Sequence, residues 1–236
     1  MMKLRIIYLL FLLCSTSLLQ AENGYELWLR YRPVAKGTSH TSYCMKNQKV
    51  MFPGETESLI AARKELQAGL SGLLDIPYTE TKVLENNMLV VGTPQSVPLF
   101  KQQTFHAEID GLADEGYLIR SCTIEGKKVT VIAARTDVGV LYGVFHYLRL
   151  MQTDHSLDKL HIQENPKLKY RVLDHWDNLN GTVERGYAGY SIWNWERLPS
   201  YKEQRYTDYA RANASIGING AVLNNVNAQA KSLRYD

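Results

Sequence analysis

The chain has 236 residues and a formal net charge of +3, part of which comes from Lys3 and Arg5 at the very start. Apolar residues make up 45% and charged residues 22%, the balance of an ordinary globular protein, which excludes a disordered or collagen-like chain. Near-neutral charge and the lack of a long basic run argue against nucleic acid as a partner.

Met1-Met2-Lys3-Leu4-Arg5 is a basic n-region, Ile6 to Cys14 is a continuous apolar run, and Ala21 is a small residue at a cleavage position. The pattern predicts a secretory signal peptide over residues 1–21, cut after Ala21, and so a periplasmic or extracellular protein. A membrane span is the weaker alternative, because the run falls short of the roughly 20 apolar residues a bilayer requires. A lipoprotein would acylate Cys14, but bulky Leu13 precedes it. Beyond the signal only Cys44 and Cys122 remain. They allow one disulfide and build no framework, and Cys122, inside a predicted strand, reads as a small buried residue. His146, His155 and His161 show no metal-ligand spacing.

Tyr25 to Tyr31 alternates apolar and polar residues and predicts a strand, followed by a polar stretch to Lys49. Thr56 or Ser58 caps a helix reaching Leu74, with Leu59, Leu66, Leu70 and Leu73 on one side. Asn87 to Gly92 is a short buried strand. Glu115 to Ala134 is the clearest hairpin, turning at Glu125-Gly126. Asp114-Glu115 reads as its solvated edge. Thr136-Asp137 then caps a helix through Met151, on which Gly139 and Gly143 form a close-packing face against the sheet. Residues 22–165 therefore predict a two-layer α/β domain with a mostly antiparallel sheet.

Asn165-Pro166 marks a boundary. After it come a strand at 169–174, the aromatic loop DHWDNLNGTVERGYAGYSIWNW (174–195), a helix from Tyr201 to Ile216 stopped by Gly217, and a strand at Gly220 to Leu223. Strand, helix and strand at this separation form a βαβ unit with parallel strands. Both strands deliver polar residues at their carboxyl ends, as barrel enzymes do. A (β/α)8 barrel needs roughly 250 residues, so residues 166–236 predict an incomplete barrel: its first βαβ unit. In the loop, Trp176, Trp193 and Trp195 stand among Asp177, Asn178, Glu184 and Arg185. Flat rings suit a sugar's C–H face, and carboxylates and amides suit vicinal hydroxyls. Arg185 has the fork geometry for a sugar carboxylate. Trp193 and Trp195 serve equally well to bury the loop against the barrel wall.

At these residues the chain resembles glycoside hydrolase family 67, the xylan α-1,2-glucuronidases. The resemblance rests on HWDNL (175–179), ERGYAG (184–189) and SIGING (215–220) running into LNNVN (223–227), and it covers essentially the whole mature chain. The upstream pattern, EGYLI through ARTDVGVLYGVFHYL, is similar to the accessory domain of β-N-acetylhexosaminidases as well. The resemblance implies removal of glucuronic or 4-O-methylglucuronic acid side chains from xylan, xylo-oligosaccharides or aldouronic acids, with inversion. It implies substrate-binding roles for Trp176 as a sugar platform and for Asp177, Asn178, Arg185, Asn224 and Asn225 around it. The alternative at each is structural: Asp177 pairing with Arg185, Asn224 or Asn225 capping backbone. The family's catalytic carboxylates lie on later barrel strands, so no catalytic residue is assigned in this chain and inactivity alone is expected. No cofactor is implied, because glycosidic cleavage here requires only carboxylates and water. The resemblance leaves room for a homodimer of the full-length enzyme. Two other classes remain open: a β-N-acetylhexosaminidase-like enzyme sharing the accessory domain, and a non-catalytic carbohydrate-binding or scaffold module.

Overall fold

The computed structural model describes residues 22–224, so the predicted signal peptide and Asn225 lie outside the described residues. Its elements are α1 (Thr38–Asn47), β1 (Lys49–Met51), α2 (Glu57–Leu74), β2 (Thr79–Glu80), β3 (Met88–Gly92), α3 (His106–Asp110), β4 (Tyr117–Ile124), β5 (Lys127–Ala133), α4 (Asp137–Gln152), β6 (His161–Glu164), β7 (Val172–Asp177), α5 (Gln204–Ser215) and β8 (Gly220–Asn224). The first six strands form one sheet in the order β2-β1-β3-β5-β4-β6; β7 and β8 form a second.

The predicted α2 and α4 hold, each with its threonine cap: Thr56 Oγ1 accepts the Leu59 N–H and Thr136 Oγ1 that of Gly139. Their leucine and valine stripes meet over one face of the sheet, where Leu59, Leu66, Leu70, Val144 and Leu148 are buried with Leu89, Val91, Ile119 and Ile132. Alternation along the strands sends Met88, Val90, Leu118, Val129 and Val131 to the other face. There they are covered by Val97, Phe100, Phe105, Ile109 and Leu112, a thin layer of short turns and α3. Gly139 and Gly143 do provide a close approach: a Cβ on Gly139 would lie 2.3 Å from the Gly116 carbonyl oxygen, and one on Gly143 2.7 Å from Ile132.

Five expectations change. Residues 27–30 form a 3-10 turn rather than a strand, and the polar stretch before Lys49 contains α1. The sheet is mixed rather than mostly antiparallel, since β2-β1, β1-β3 and β3-β5 are parallel and only β4 pairs antiparallel with β5 and β6. The second-unit strand starts at Val172 and runs on through Asp177. Glu115 is not solvated edge: its carboxylate takes Arg171 and the Asn219 side-chain amide, both from the second unit. Asp114 pairs with Arg135. Cys44 and Cys122 are unpaired, packed against the cores on opposite faces of the sheet.

The second unit is the predicted parallel βαβ arrangement, with Val172 beside Gly220 and Leu173 beside Ala221. A second tie crosses from α5 to α2. The Arg211 guanidinium grips buried Glu65 with Nε at 2.7 Å and Nη2 at 3.0 Å, and Tyr31 donates its hydroxyl to the same carboxylate at 2.5 Å. Burial and that carboxylate raise the tyrosine's pKa, and the hydrogen bond to Glu65 raises that of Arg211. A third tie joins the Trp28 indole N–H to Ser215 Oγ at 2.7 Å.

Candidate functional site

β7 ends in Asp174-His175-Trp176-Asp177, and its register against β8 shifts between Asp174 and Asp177. Such an irregularity twists a strand end and re-aims its side chains. His175 and Asp177, two apart, face inward, while Trp176 faces out with 38% of its surface exposed. The following loop folds back on this end. Glu184 N–H donates to the Trp176 carbonyl at 2.8 Å, Asn178 N–H to Thr182 O at 2.8 Å, and Val183 N–H to Gly189 O at 3.0 Å. Gly181, Gly186 and Gly189 all adopt positive φ, and Glu184 joins them at 58°, so the turns that return the chain need left-handed backbone.

Several predicted site residues hold the loop together. The Asp177 carboxylate, 5% exposed, accepts the Ser191 hydroxyl, and Ser191 Oγ in turn accepts Trp193 N–H at 3.0 Å. His175 Nδ1 stands 3.9 Å from the other Asp177 oxygen. The Asn178 amide donates to Thr182 Oγ1 at 3.0 Å and to the Glu184 carbonyl at 2.7 Å. Arg185 is exposed beside Glu184 at the loop tip, and the alternative role, pairing with Asp177, is not what the Asp177 carboxylate does: it takes Ser191. The β8 backbone places Asn224 opposite Asp177. Asn225 lies outside the described residues.

Trp193 packs inward: its ring sits 4.8 Å from that of Tyr206 and 5.5 Å from that of Tyr209, both on α5, and 6.2 Å from His175. His175 Nε2 meets the Tyr209 hydroxyl. Tyr206 accepts Asn194 N–H at 2.7 Å. Sequence reasoning missed this inner set of His175, Ser191, Tyr206 and Tyr209. Its one legible trace was the i, i+3 spacing of the two tyrosines on a predicted helix. Chemically the result is an outward indole and an outward guanidinium on a braced loop, with the buried carboxylate already satisfied. Among the described residues no group of histidines, cysteines and carboxylates is arranged to hold a metal ion, and no helix is long and apolar enough to cross a membrane.

Residues 27–147 match the model of the glycosyl hydrolase family 67 N-terminus, and residues 150–236 match that of the family 67 middle domain. Alpha-glucuronidase A of Aspergillus tubingensis is 30% identical over 220 residues, which is 92% of this chain and 25% of that protein. The probable alpha-glucuronidase A of Aspergillus clavatus is 30% identical over 232 residues, 97% of this chain and 27% of the relative. The chain thus spans about a quarter of the length of the curated relatives it matches. Among solved structures, a family GH115 4-O-methyl-alpha-glucuronidase with specificity for decorated arabinogalactans superposes with a TM-score of 0.53 at 14% identity, over 74% of this chain and 25% of that one, a likeness of fold. With family models covering both the six-stranded domain and the βαβ unit, this chain belongs to glycosyl hydrolase family 67.

Proposed function

We propose that this chain is part of an exported α-glucuronidase that removes glucuronic or 4-O-methylglucuronic acid side chains from xylan or xylo-oligosaccharides with inversion. Its own residues supply a sugar platform rather than the acid and base. The observation that carries this is the outward Trp176 at the carboxyl end of β7, held on a loop braced by the Asp177 carboxylate and the Asn178 amide, both already paired. That end of a parallel strand is where barrel enzymes assemble their sites. The indole offers a flat face to the ring of the uronic acid. Arg185, exposed on the same loop, offers two N–H groups to its carboxylate.

Inversion requires a carboxylic acid that protonates the leaving oxygen and a carboxylate that activates water on the opposite face, roughly 6.5–9.5 Å apart. Asp177 is committed to Ser191 and braces the loop. The acid and base are assigned to barrel strands beyond β8, so residues 1–236 hold sugar without cleaving it. No cofactor takes part.

Titration calorimetry of the purified chain with an aldouronic acid is expected to show binding, weakened about tenfold (~1.4 kcal/mol) by Trp176→Ala. Chromatography of the same mixture is expected to show no free glucuronate. Release of glucuronate by protein ending at Asp236 would defeat the assignment of the acid and base, and full-strength binding by the variant would defeat the platform.

A further inference from the structure

β1 and β3 are parallel neighbours whose carboxyl ends send the chain to opposite faces of the sheet: β1 into α2 on one side, β3 into the Val97–Leu112 layer on the other. A crevice opens outside the carboxyl ends of parallel strands at such a point, and α/β folds place ligands there. Here it is a cavity of about 530 Å3, within the range of small-ligand sites. Its walls come from the ends of β1 and β2, from the segment Ser96–Leu99 that follows β3 and from Arg63 of α2, and none from residues 166–224. Both strand ends turn on glycine. Gly54 has φ of 109° and Gly92 of 155°, and a Cβ on either would lie within 2.5 Å of Leu59 or Ser96.

The lining is balanced in charge. Arg63 and Lys82 face Glu55 and Glu80, and Pro53, Pro98 and Leu99 add apolar surface. Arg63 Nη2 holds the Phe52 carbonyl at 2.9 Å and also that of Gly54, while Glu55 stands at 3.4 Å. Arg63 Nε is buried with no hydrogen-bond partner among the described residues, the nearest carboxylate oxygen being that of Glu80 at 3.6 Å. A buried donor of this kind costs about 1–3 kcal/mol while unsatisfied, and an incoming acceptor relieves that cost. An anion is a poor occupant, because Glu55, Glu57 and Glu80 surround the start of α2. An extended peptide is another, because edge strand β2 is two residues long. A neutral polyhydroxyl ring fits: its hydroxyls accept from Arg63 and donate to Glu55 and Glu80, and its C–H face lies on proline and leucine.

We infer that this crevice is a second carbohydrate site, taking a neutral saccharide and separate from the Trp176 loop. It carries no acid–base pair set for cleavage; it holds chain. The inference does not depend on the uronic-acid assignment, because the two places share no residue.

Amide-resolved NMR of the full chain with xylotetraose, cellotetraose and tetragalacturonate tests it. At least one neutral tetrasaccharide is expected to shift the amides of Gly54, Thr81 and Ser96, and tetragalacturonate is expected to leave them in place. Glu80→Ala, at an exposed position, is expected to keep the wild-type melting temperature and weaken that binding about tenfold. Arg63→Met, checked by circular dichroism because Arg63 also supports the β1 end, is expected to weaken it at least as much. No shift at those amides with either neutral sugar overturns the inference. So do shifts confined to residues 176–195, tighter binding of tetragalacturonate in the crevice, or undiminished affinity in Glu80→Ala.

Discussion

β3 and β7 are both strands with a parallel neighbour, yet all five residues of β3 are buried while β7 leaves Val172 and Leu173 about 40% exposed beside its outward Trp176. β3 lies between β1 and β5 with a packed layer on each face. Among the described residues β7 has β8 as its one strand neighbour, and Val222 of β8 is half exposed too. Burial at about 25 cal/mol per Å2 of apolar area holds the first region together from within. The second rests on directed polar contacts to the first: Arg211 on Glu65, Arg171 on Glu115, Trp28 on Ser215. A region with little core of its own can thus keep a defined place if a cored neighbour supplies the partners.

The sharpest way to break this contrast is Arg211→Met. It leaves Glu65, 4% exposed, with the Tyr31 hydroxyl as its remaining side-chain partner among the described residues. Removing one member of a buried ion pair costs about 3–5 kcal/mol. Because Arg211 is itself a third exposed, the lower end is expected. Hydrogen exchange should then show α5 and β7 losing protection while α2 and β3 keep theirs. Unchanged exchange in α5 would mean that the clamp is not what holds the second unit.

A matched pair of substitutions sharpens the same comparison at smaller scale. On α4, Gly139→Ala forces a methyl to 2.3 Å from the Gly116 carbonyl oxygen and 2.8 Å from Ala134. Overpacking of this kind costs about 1–3 kcal/mol. On β8, Gly220→Ala meets, among the described residues, only the Val172 side chain, at 3.3 Å. It is expected to leave the urea midpoint unchanged, while Gly139→Ala lowers it. Equal effects would show the two regions to be packed alike.

What the sequence disclosed follows the same division. α2 and α4 were legible because a helix that buries one stripe against a sheet must repeat apolar residues every three or four positions, and each opens on a threonine. The hairpin was legible from Glu125-Gly126, both at positive φ. α1 was not, since TSHTSYCMKN buries only Tyr43 and Asn47 and so has no stripe to read. Nor were the parallel pairings of β1 and β2, strands of three and two residues whose direction is set by the α2 crossover. Residues 25–31 alternate as a strand would, but their apolar members serve other needs: Trp28 reaches Ser215 and Tyr31 reaches Glu65. At the candidate site the aromatic and polar composition was visible. Which atoms were already taken was not, because Ser191 on Asp177 and Tyr209 on His175 join positions 14 and 34 residues apart. The ties of Glu115 span still more chain.

The smallest expected effect lies where the two regions meet. His146, on α4, has Nδ1 2.9 Å from the Tyr117 hydroxyl and lines a cavity of about 210 Å3 shared with Glu115, Glu164, Arg149 and Arg171. Burial, and next the Arg149 guanidinium, lower its pKa from the ordinary imidazole value near 6.5; Glu164 pulls the other way and His155 adds to the lowering. The folded state therefore prefers the neutral ring, and below that value the unfolded chain binds the extra proton first. Stability from this group is fully present above about pH 6.5 and is lost as pH falls through the lowered folded-state value, by no more than about 1.4 kcal/mol per pH unit. Melting temperatures of the wild type and His146→Gln should run parallel above pH 7 and converge or cross between pH 6.5 and about 5, before the carboxylates titrate near 4. Curves that stay parallel to pH 5 would mean that the ring carries no proton linkage to folding, and that the junction between the cored domain and its clamped neighbour is insensitive to acid at this point.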